Sequence, residues 1–301
     1  MKLHHLRDLL AVVEKGSIRA AAKHLGLGQP ALSRSLRDLE QELGVPLLER
    51  RARGAVLTEM GEMFARRAGA AFNELSRARE EIAQHQGEVQ GRIVVCLSSL
   101  SHIALLPSAL PPFRKRYLKV ELGIIEGTYP MVERRLVDGT IDFFVGPLRS
   151  SAIAPGLQQE KLFDNHRVVM ARKGHPLQHA TSLAELIESD WITTSITNDP
   201  ETELNDLFLG HGLPPPRLGL RAESFLTMLV SMISTDMLAI SPRQYATSSL
   251  LADFVRQVPV KERLAGPSLF LIKRAAIPLT PAAEYLADLL RRAAIQQPRT
   301  T

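Results

Sequence analysis

Residues 20–35 read AAAKHLGLGQPALSRS, and within them Gly26-Leu27-Gly28-Gln29-Pro30-Ala31 has the G-x-G-x-x-A spacing of a dinucleotide-binding turn. That fingerprint works only where a strand enters the turn and a helix leaves it. What enters here is SIRAAAKHL, residues 17–25. Ile18, Ala21, Ala22 and Leu25 recur at i, i+3, i+4 and i+7, and Ser17 stands at the N-cap position. The entering segment is therefore a helix. Glu49, at the distance where the fingerprint carries its ribose-binding acid, does not rescue a cofactor reading.

What leaves the turn is a second helix, with Pro30 in the first turn where its missing N–H costs nothing. At about 100° per residue, Leu32, Leu36, Leu39 and Leu43 share one stripe, and Pro30, Ser33, Arg34, Arg37 and Gln41 take the opposite side. Two helices joined through a glycine-containing turn, the second with one apolar and one Ser/Arg face, form a helix-turn-helix whose second helix enters a major groove. Arginine there can bond guanine bidentately or neutralise phosphate, and Ser33 can serve either role. Taken alone, such a face is a solvated helix surface. The turn and the local charge favour double-stranded DNA: residues 1–58 hold ten basic side chains against six acidic ones, so most of the net charge of +5 sits there.

Downstream, VPLLERRARGAVLTEMG (residues 45–61) places two short apolar runs around the basic tip Arg50-Arg51-Ala52-Arg53-Gly54. A hairpin fits, and beside a helix-turn-helix it is a wing whose arginines reach phosphate or an adjacent minor groove. Gly16-Ser17, Ala20-Ala21-Ala22, Leu25, Gln29-Pro30-Ala31-Leu32-Ser33, Leu39-Glu40, Leu43-Gly44, Leu47, Arg50, Arg53, Leu57-Thr58 and Gly61 together resemble the N-terminal domain of LysR-type transcriptional regulators. The resemblance implies that Gln29, Pro30, Ser33 and Arg34 face the groove, with Arg50 and Arg53 on the backbone. Gly28 replaces the Ser usual at the helix start, and Leu48 replaces a usual Phe.

From Thr58 a helical segment runs to about residue 88, with Phe64, Ala68, Ala71, Leu75, Ala78 and Ile82 at alternating spacings of four and three. That is a coiled-coil seam, so a homodimer through residues 59–88 is expected, on a roughly palindromic site; the alternative is a helix packed on its own domain. HQGEVQG, residues 85–91, marks a boundary near residue 90. The expected division is a DNA-binding domain at 1–58, a linker helix at 59–90 and an effector domain at 91–301.

From residue 92 onward, apolar strands alternate with helices in two successive sets, which predicts two α/β lobes with covered, largely parallel sheets. Lobe I takes about 92–162 and 268–301, lobe II about 163–267, with crossings near 162–166 and 266–268. Ligands in such sheets bind beyond the C-terminal strand ends, near helix N-termini. Polar residues recur there: Ser98, Ser99, Ser101 and His102; Thr128; Thr194, Ser195 and Thr197, with Ile196 among them; and Ser224 before Phe225. Each hydroxyl can simply cap its helix, and His102 can contact a ligand or cap; the recurrence in both lobes points to a shared cleft.

This layout resembles the periplasmic-binding-protein-like effector domain of LysR-type regulators, which implies a small-molecule effector between the lobes. YPMVERRLVDGTIDFFVGP (129–147) and GLPPPRLGLRAESFL (212–226) look most like the branch of the toluenesulfonate-degradation regulator, implying an aromatic acid. The resemblance also implies a tetramer built as a dimer of dimers and admits RNA polymerase as a partner. The expected fold class is thus α+β and multidomain: a winged helix-turn-helix, a long coiled-coil linker and a two-lobed α/β effector domain.

Other classes find little support. Cys96 is the single cysteine, inside the apolar run RIVVCLS, so no intrachain disulfide forms and a buried thiol in a reducing compartment is expected. No secretory signal pattern and no stretch approaching the ~20 apolar residues of a membrane span occurs, so a cytoplasmic protein with no membrane partner is expected. An α/β enzyme would need a nucleophile–base pair or metal cluster, and G-x-S-x-G, P-loop and H-E-x-x-H patterns are all missing. A solute-binding protein would need an export signal. The expectation is a regulator without catalytic residues, cofactor or metal.

Overall fold

Helix α1 (Leu3–Lys15) ends on Gly16 and α2 (Ile18–Leu25) on Gly26, both glycines in the left-handed conformation that costs other residues strain. Ser17 caps α2 by accepting from Ala20 N at 3.1 Å. Helix α3 (Gln29–Leu43) starts at Gly28 without a side-chain cap, Pro30 filling its first turn. Leu32, Leu36 and Leu39 are buried among Leu9, Val12, Ala21 and Leu47, which is the core of this unit. The computed structural model describes residues 1–51, 54–85, 90–148, 152–194 and 200–297.

Strands β1 (Leu48–Arg51) and β2 (Gly54–Leu57) pair antiparallel, Leu48 opposite Leu57. Glu40 of α3 accepts from Leu47 N and Leu48 N at 2.7 and 3.0 Å, fixing the hairpin to the helix. Helix α4 (Glu59–His85) begins against the same corner: a Cβ at Gly61 would lie 2.0 Å from Leu47 O, so only glycine fits. The first turns of α4 pack Ala65 and Phe64 onto the three-helix core.

The rest of the chain forms two sheets. Strand β3 (Gln90–Leu97), helices α5 (Ser99–Ala104) and α6 (Leu106–Arg116), β4 (Lys119–Glu126), α7 (Tyr129–Val137), β5 (Phe143–Pro147) and β6 (Leu157–Phe163) build the first lobe. Strand β7 (His166–Arg172), β8 (Asp190–Thr194), α8 (Pro200–Gly210), β9 (Arg217–Ala222), α9 (Phe225–Ser234), β10 (Leu238–Pro242), α10 (Arg243–Thr247), β11 (Val255–Val258) and β12 (Leu264–Ala265) build the second. The chain then returns as β13 (Leu269–Arg274) and α11 (Pro281–Ile295). The first sheet runs β4-β3-β5-β13-β6 and the second β11-β7-β10-β8-β9, with β12 also on β7.

The sheets are mixed, not largely parallel as the apolar runs predict. β3, β4 and β5 run parallel, as do β8, β9 and β10, but β13 and β7 run against them. These two are the strands by which the chain enters each lobe from the other. They start where the parallel strands end, Leu269 opposite Pro147 and Arg167 opposite Pro242, so they must point the opposite way. β6 escapes a hydrophobicity reading because Gln158, Gln159, Glu160 and Lys161 are exposed. Helices α5 and α6 meet at Leu105, with Pro107 in the first turn of the second. Among the described residues no helix is long and apolar enough to cross a membrane.

The second half of α4 docks on the first lobe. Arg77 ion-pairs with Asp142 at 3.0 Å, with side chains 15% and 6% exposed, and donates to Gly139 O. Arg274 at the end of β13 reaches Glu74 at 2.6 Å, and Gln84 Oε1 accepts from Ala282 N, capping α11, whose own Thr280 makes no cap bond. Burial pushes the Asp142 carboxyl up from the usual aspartate range while Arg77 pulls it down. Removing one partner strands the other charge, so Arg77→Met lowers stability by about 3–5 kcal/mol, whereas Arg77→Met with Asp142→Asn, which keeps an acceptor for Val94 N, recovers most of it. Urea unfolding of the three proteins checks this; equal losses in single and double variants would contradict it.

Candidate functional site

The leucine stripe of α3 leaves its other side bare. Gln29, Pro30, Arg34 and Arg37 are exposed and Ser33 is half-buried, with Arg37 Nε bonded to Ser33 O at 3.2 Å. One polar side chain lies on the buried side: Ser35 Oγ donates to Asp8 Oδ2 at 2.6 Å. Asp8 is itself buried in α1 and held on its other oxygen by Arg7 at 2.8 Å. Sequence reasoning missed this pair; its signal is a serine three residues from Leu32, in line with the stripe. Arg50 lies in β1, opposite Ala55, and Arg53 falls outside the described residues.

In α4 the seam divides. Ala68 is buried near α1 and Phe64 partly so, while Ala71, Leu75, Ala78 and Ile82 are exposed, Leu75 by 48% and Ile82 by 58%. The docking residues Glu74 and Arg77 precede Leu75 and Ala78 by one position, about 100° round the helix. The helix thus carries a polar face on its own first lobe and a separate apolar face in the open.

Beyond the C-terminal ends of the parallel strands a cavity of about 330 Å³ lies between the lobes. Ser98, Ser99, Thr128, Ser224 and Phe225 line it. Ser98 and Ser224 also cap their helices, accepting from Ser101 N and Thr227 N at 3.3 and 3.1 Å. Thr128 heads α7 without making a cap bond, which leaves its hydroxyl for other work. Ser101 and His102 are not among the lining residues. Ser101 is buried with its Oγ on Val145 O at 2.8 Å, and His102 Nδ1 meets Ser98 O at 3.0 Å. Ser195, Ile196 and Thr197 fall outside the described residues.

The cavity also has walls that sequence reasoning did not name. Tyr245 of α10 packs its ring 4.5 Å from that of Phe225 and hydrogen-bonds Ser99 across the lobes. Burial raises its hydroxyl well above the usual phenol range, so it stays neutral. Behind Gly127, the buried Cys96 thiol is pushed up to about 12 by desolvation, which makes it inert. Asn165, on the first crossing, lines the cavity with its Oδ1 unpartnered among the described residues. Arg167 and Glu203 form an ion pair in the wall. None of these stands in a local motif: each reaches the cavity through the fold.

Ser35→Ala leaves Asp8 Oδ2 without its donor inside the three-helix core. We expect a loss of about 1–3 kcal/mol in urea unfolding together with weaker DNA binding; unchanged stability would show the pair to be dispensable.

Comparison with known proteins gives a consistent answer. Residues 3–62 match the family model described as bacterial regulatory helix-turn-helix protein, lysR family, and residues 86–295 match the LysR substrate binding domain. The chain is 26% identical over 293 residues to the HTH-type transcriptional regulator GalR of Pseudomonas putida, spanning 97% of this chain and 74% of that one. It is also 26% identical over 294 residues to an SDS degradation transcriptional activation protein of a Pseudomonas species, spanning 96% and 95%. The crystal structure of CbnR, a LysR family transcriptional regulator, superposes with a TM-score of 0.68 at 22% identity, covering 98% of this chain and 99% of that one. Full-length CbnR complexed with its target DNA gives the same score, covering 97% and 100%.

Proposed function

The chain belongs to the LysR family of DNA-binding transcriptional regulators with an effector-binding domain, and from that premise we propose how this member works. Two copies pair through the exposed Ala71, Leu75, Ala78 and Ile82 face of α4, each presenting α3 to one half of a roughly palindromic operator. Gln29, Ser33 and Arg34 read base edges, and Arg37, Arg50 and Arg53 hold phosphates. A small organic acid with an aromatic body occupies the interlobe cavity and sets the output. Dimers associate further into a tetramer, and RNA polymerase is met at the promoter. A protein with these tasks works in the cytoplasm, by binding and not by chemistry.

The observation that carries this reading is the division of α3 into a buried leucine side and an exposed Gln29, Pro30 and Arg34 side. The cavity adds a second component. An effector can shift the DNA-binding geometry only through different affinities for two arrangements of the lobes, so effector and operator must change each other's affinity by the same factor.

The test is binding of the full chain to duplex from upstream of its own gene, against scrambled duplex, across a salt series. Nanomolar selective binding is expected, and Arg34→Ala costs about 1–3 kcal/mol of it. Equal, steeply salt-dependent binding to both duplexes would reduce the reading to a basic surface. In light scattering, Leu75→Glu with Ile82→Glu yields a smaller assembly; an unchanged mass would place the self-association elsewhere.

A further inference from the structure

Resting on the interlobe cavity as the effector site, we propose that Arg167 anchors the acid group of the effector, and that Glu203 is the chain's own occupant of that anchor. Arg167 is the one cationic side chain among the described residues lining the cavity. It opens β7 at the first crossing, where its Nε donates to Ala265 O at 2.8 Å, and its Nη1 ion-pairs with Glu203 of α8. The two side chains are only 20% and 17% exposed, so their attraction is weakly screened. A guanidinium fork takes a carboxylate or sulfonate in two parallel bonds, and Glu203 is itself a carboxylate held in that position.

The exchange has somewhere to go. Arg167, Glu203 and Leu207 line both the cavity and an open groove of about 580 Å³ on its far side. That groove also presents the exposed Arg263. An incoming acid takes Arg167, and Glu203 turns outward toward Arg263 and water, so one anion replaces another at the anchor and no charge is stranded. Glu126 and Glu223 also line the cavity but are exposed, and Glu126 already accepts from Ser99 Oγ at 2.7 Å. Solvent screens their repulsion far more than the burial around Arg167 screens its attraction. Phe225, Met131, Leu204 and Leu207 supply the apolar wall for a ring. Glu203 lies in the first turn of α8, so the exchange frees that end of the helix from its tie to β7. The ligand class is therefore an aromatic carboxylate or sulfonate, and the Arg167–Glu203 pair is the switch it opens.

The test is calorimetric titration of the full chain with benzoate, benzenesulfonate, the neutral isostere benzamide and the cation benzylamine. Wild type, Glu203→Gln and Arg167→Gln are compared, each checked for folding by circular dichroism. The two acids bind wild type. Glu203→Gln tightens them about tenfold while leaving benzamide unchanged, because the internal competitor is gone. Arg167→Gln abolishes acid binding and spares benzamide. An unchanged acid affinity in Glu203→Gln, or benzylamine binding as tightly as benzoate, overturns the proposal even if Arg167→Gln fails to fold. Ligands that bind irrespective of charge and of Arg167 would sink the anchor but keep the cavity. No binding by any probe to a protein that still recognises its operator would sink the cavity reading as well.

Discussion

The Arg77–Asp142 pair is the point through which the two ends of this molecule are joined. The Asp142 carboxylate does two things at once: it accepts from Val94 N at 2.8 Å and from Arg77 at 3.0 Å. Val94 lies in β3 and Asp142 just ahead of β5, so the ion pair attaches α4 to the middle of the first sheet and not to a loop at its rim. Two buried charges add little net stability against their apolar replacement, because each loses its hydration. Their value here is geometric. With Glu74–Arg274 and the Gln84 cap on α11, they hold α4 against the first lobe at three points.

That attachment ties the first-lobe wall of the cavity to α4 and, through it, to the three-helix core. The cavity wall draws on both lobes, and the crossings beside it are themselves laced together: Gly266 N bonds Asn165 O at 3.2 Å and Ser268 Oγ bonds Asp164 at 2.7 Å. A buried cluster continues across both lobes, Tyr245 and Met170 in the second packing in the same core as Leu100 and Phe143 in the first. A change in how the lobes meet is therefore resisted by packed side chains and resolves into a few discrete arrangements. The first lobe carries α4, and α4 leads to the core that holds α3.

The parts of this design differ in how openly the sequence displays them. The α3 stripe is legible because a leucine every three or four residues has one geometric meaning, and the Ser/Arg side follows by subtraction. The caps at Ser98 and Ser224 are legible as cap-or-ligand and no further, since one hydroxyl can do both; the fold shows each doing the first while lining the cavity. Arg167 and Glu203 leave no local trace. They are 36 residues apart, on a strand and a helix, and only the second sheet's register brings them together. The mixed strand directions were hidden for the same reason: apolar content reports burial on both faces, not the direction in which a strand enters.

The reading helix itself is constrained from two sides by contacts that never touch its exposed face. Glu40 near its C-terminal end holds the start of the wing, and Ser35 in its middle is tied to Asp8 of α1. Ser35 is buried and Glu40 half-buried, whereas Gln29, Arg34 and Arg37 are exposed and free of tertiary hydrogen bonds among the described residues. Anchoring and exposure are thus carried by different residues of the same helix. Substitutions on the exposed face come at little cost to folding, whereas the buried serine and Glu40 fix where the face points. A fifteen-residue helix with one buried and one bare side supplies that separation.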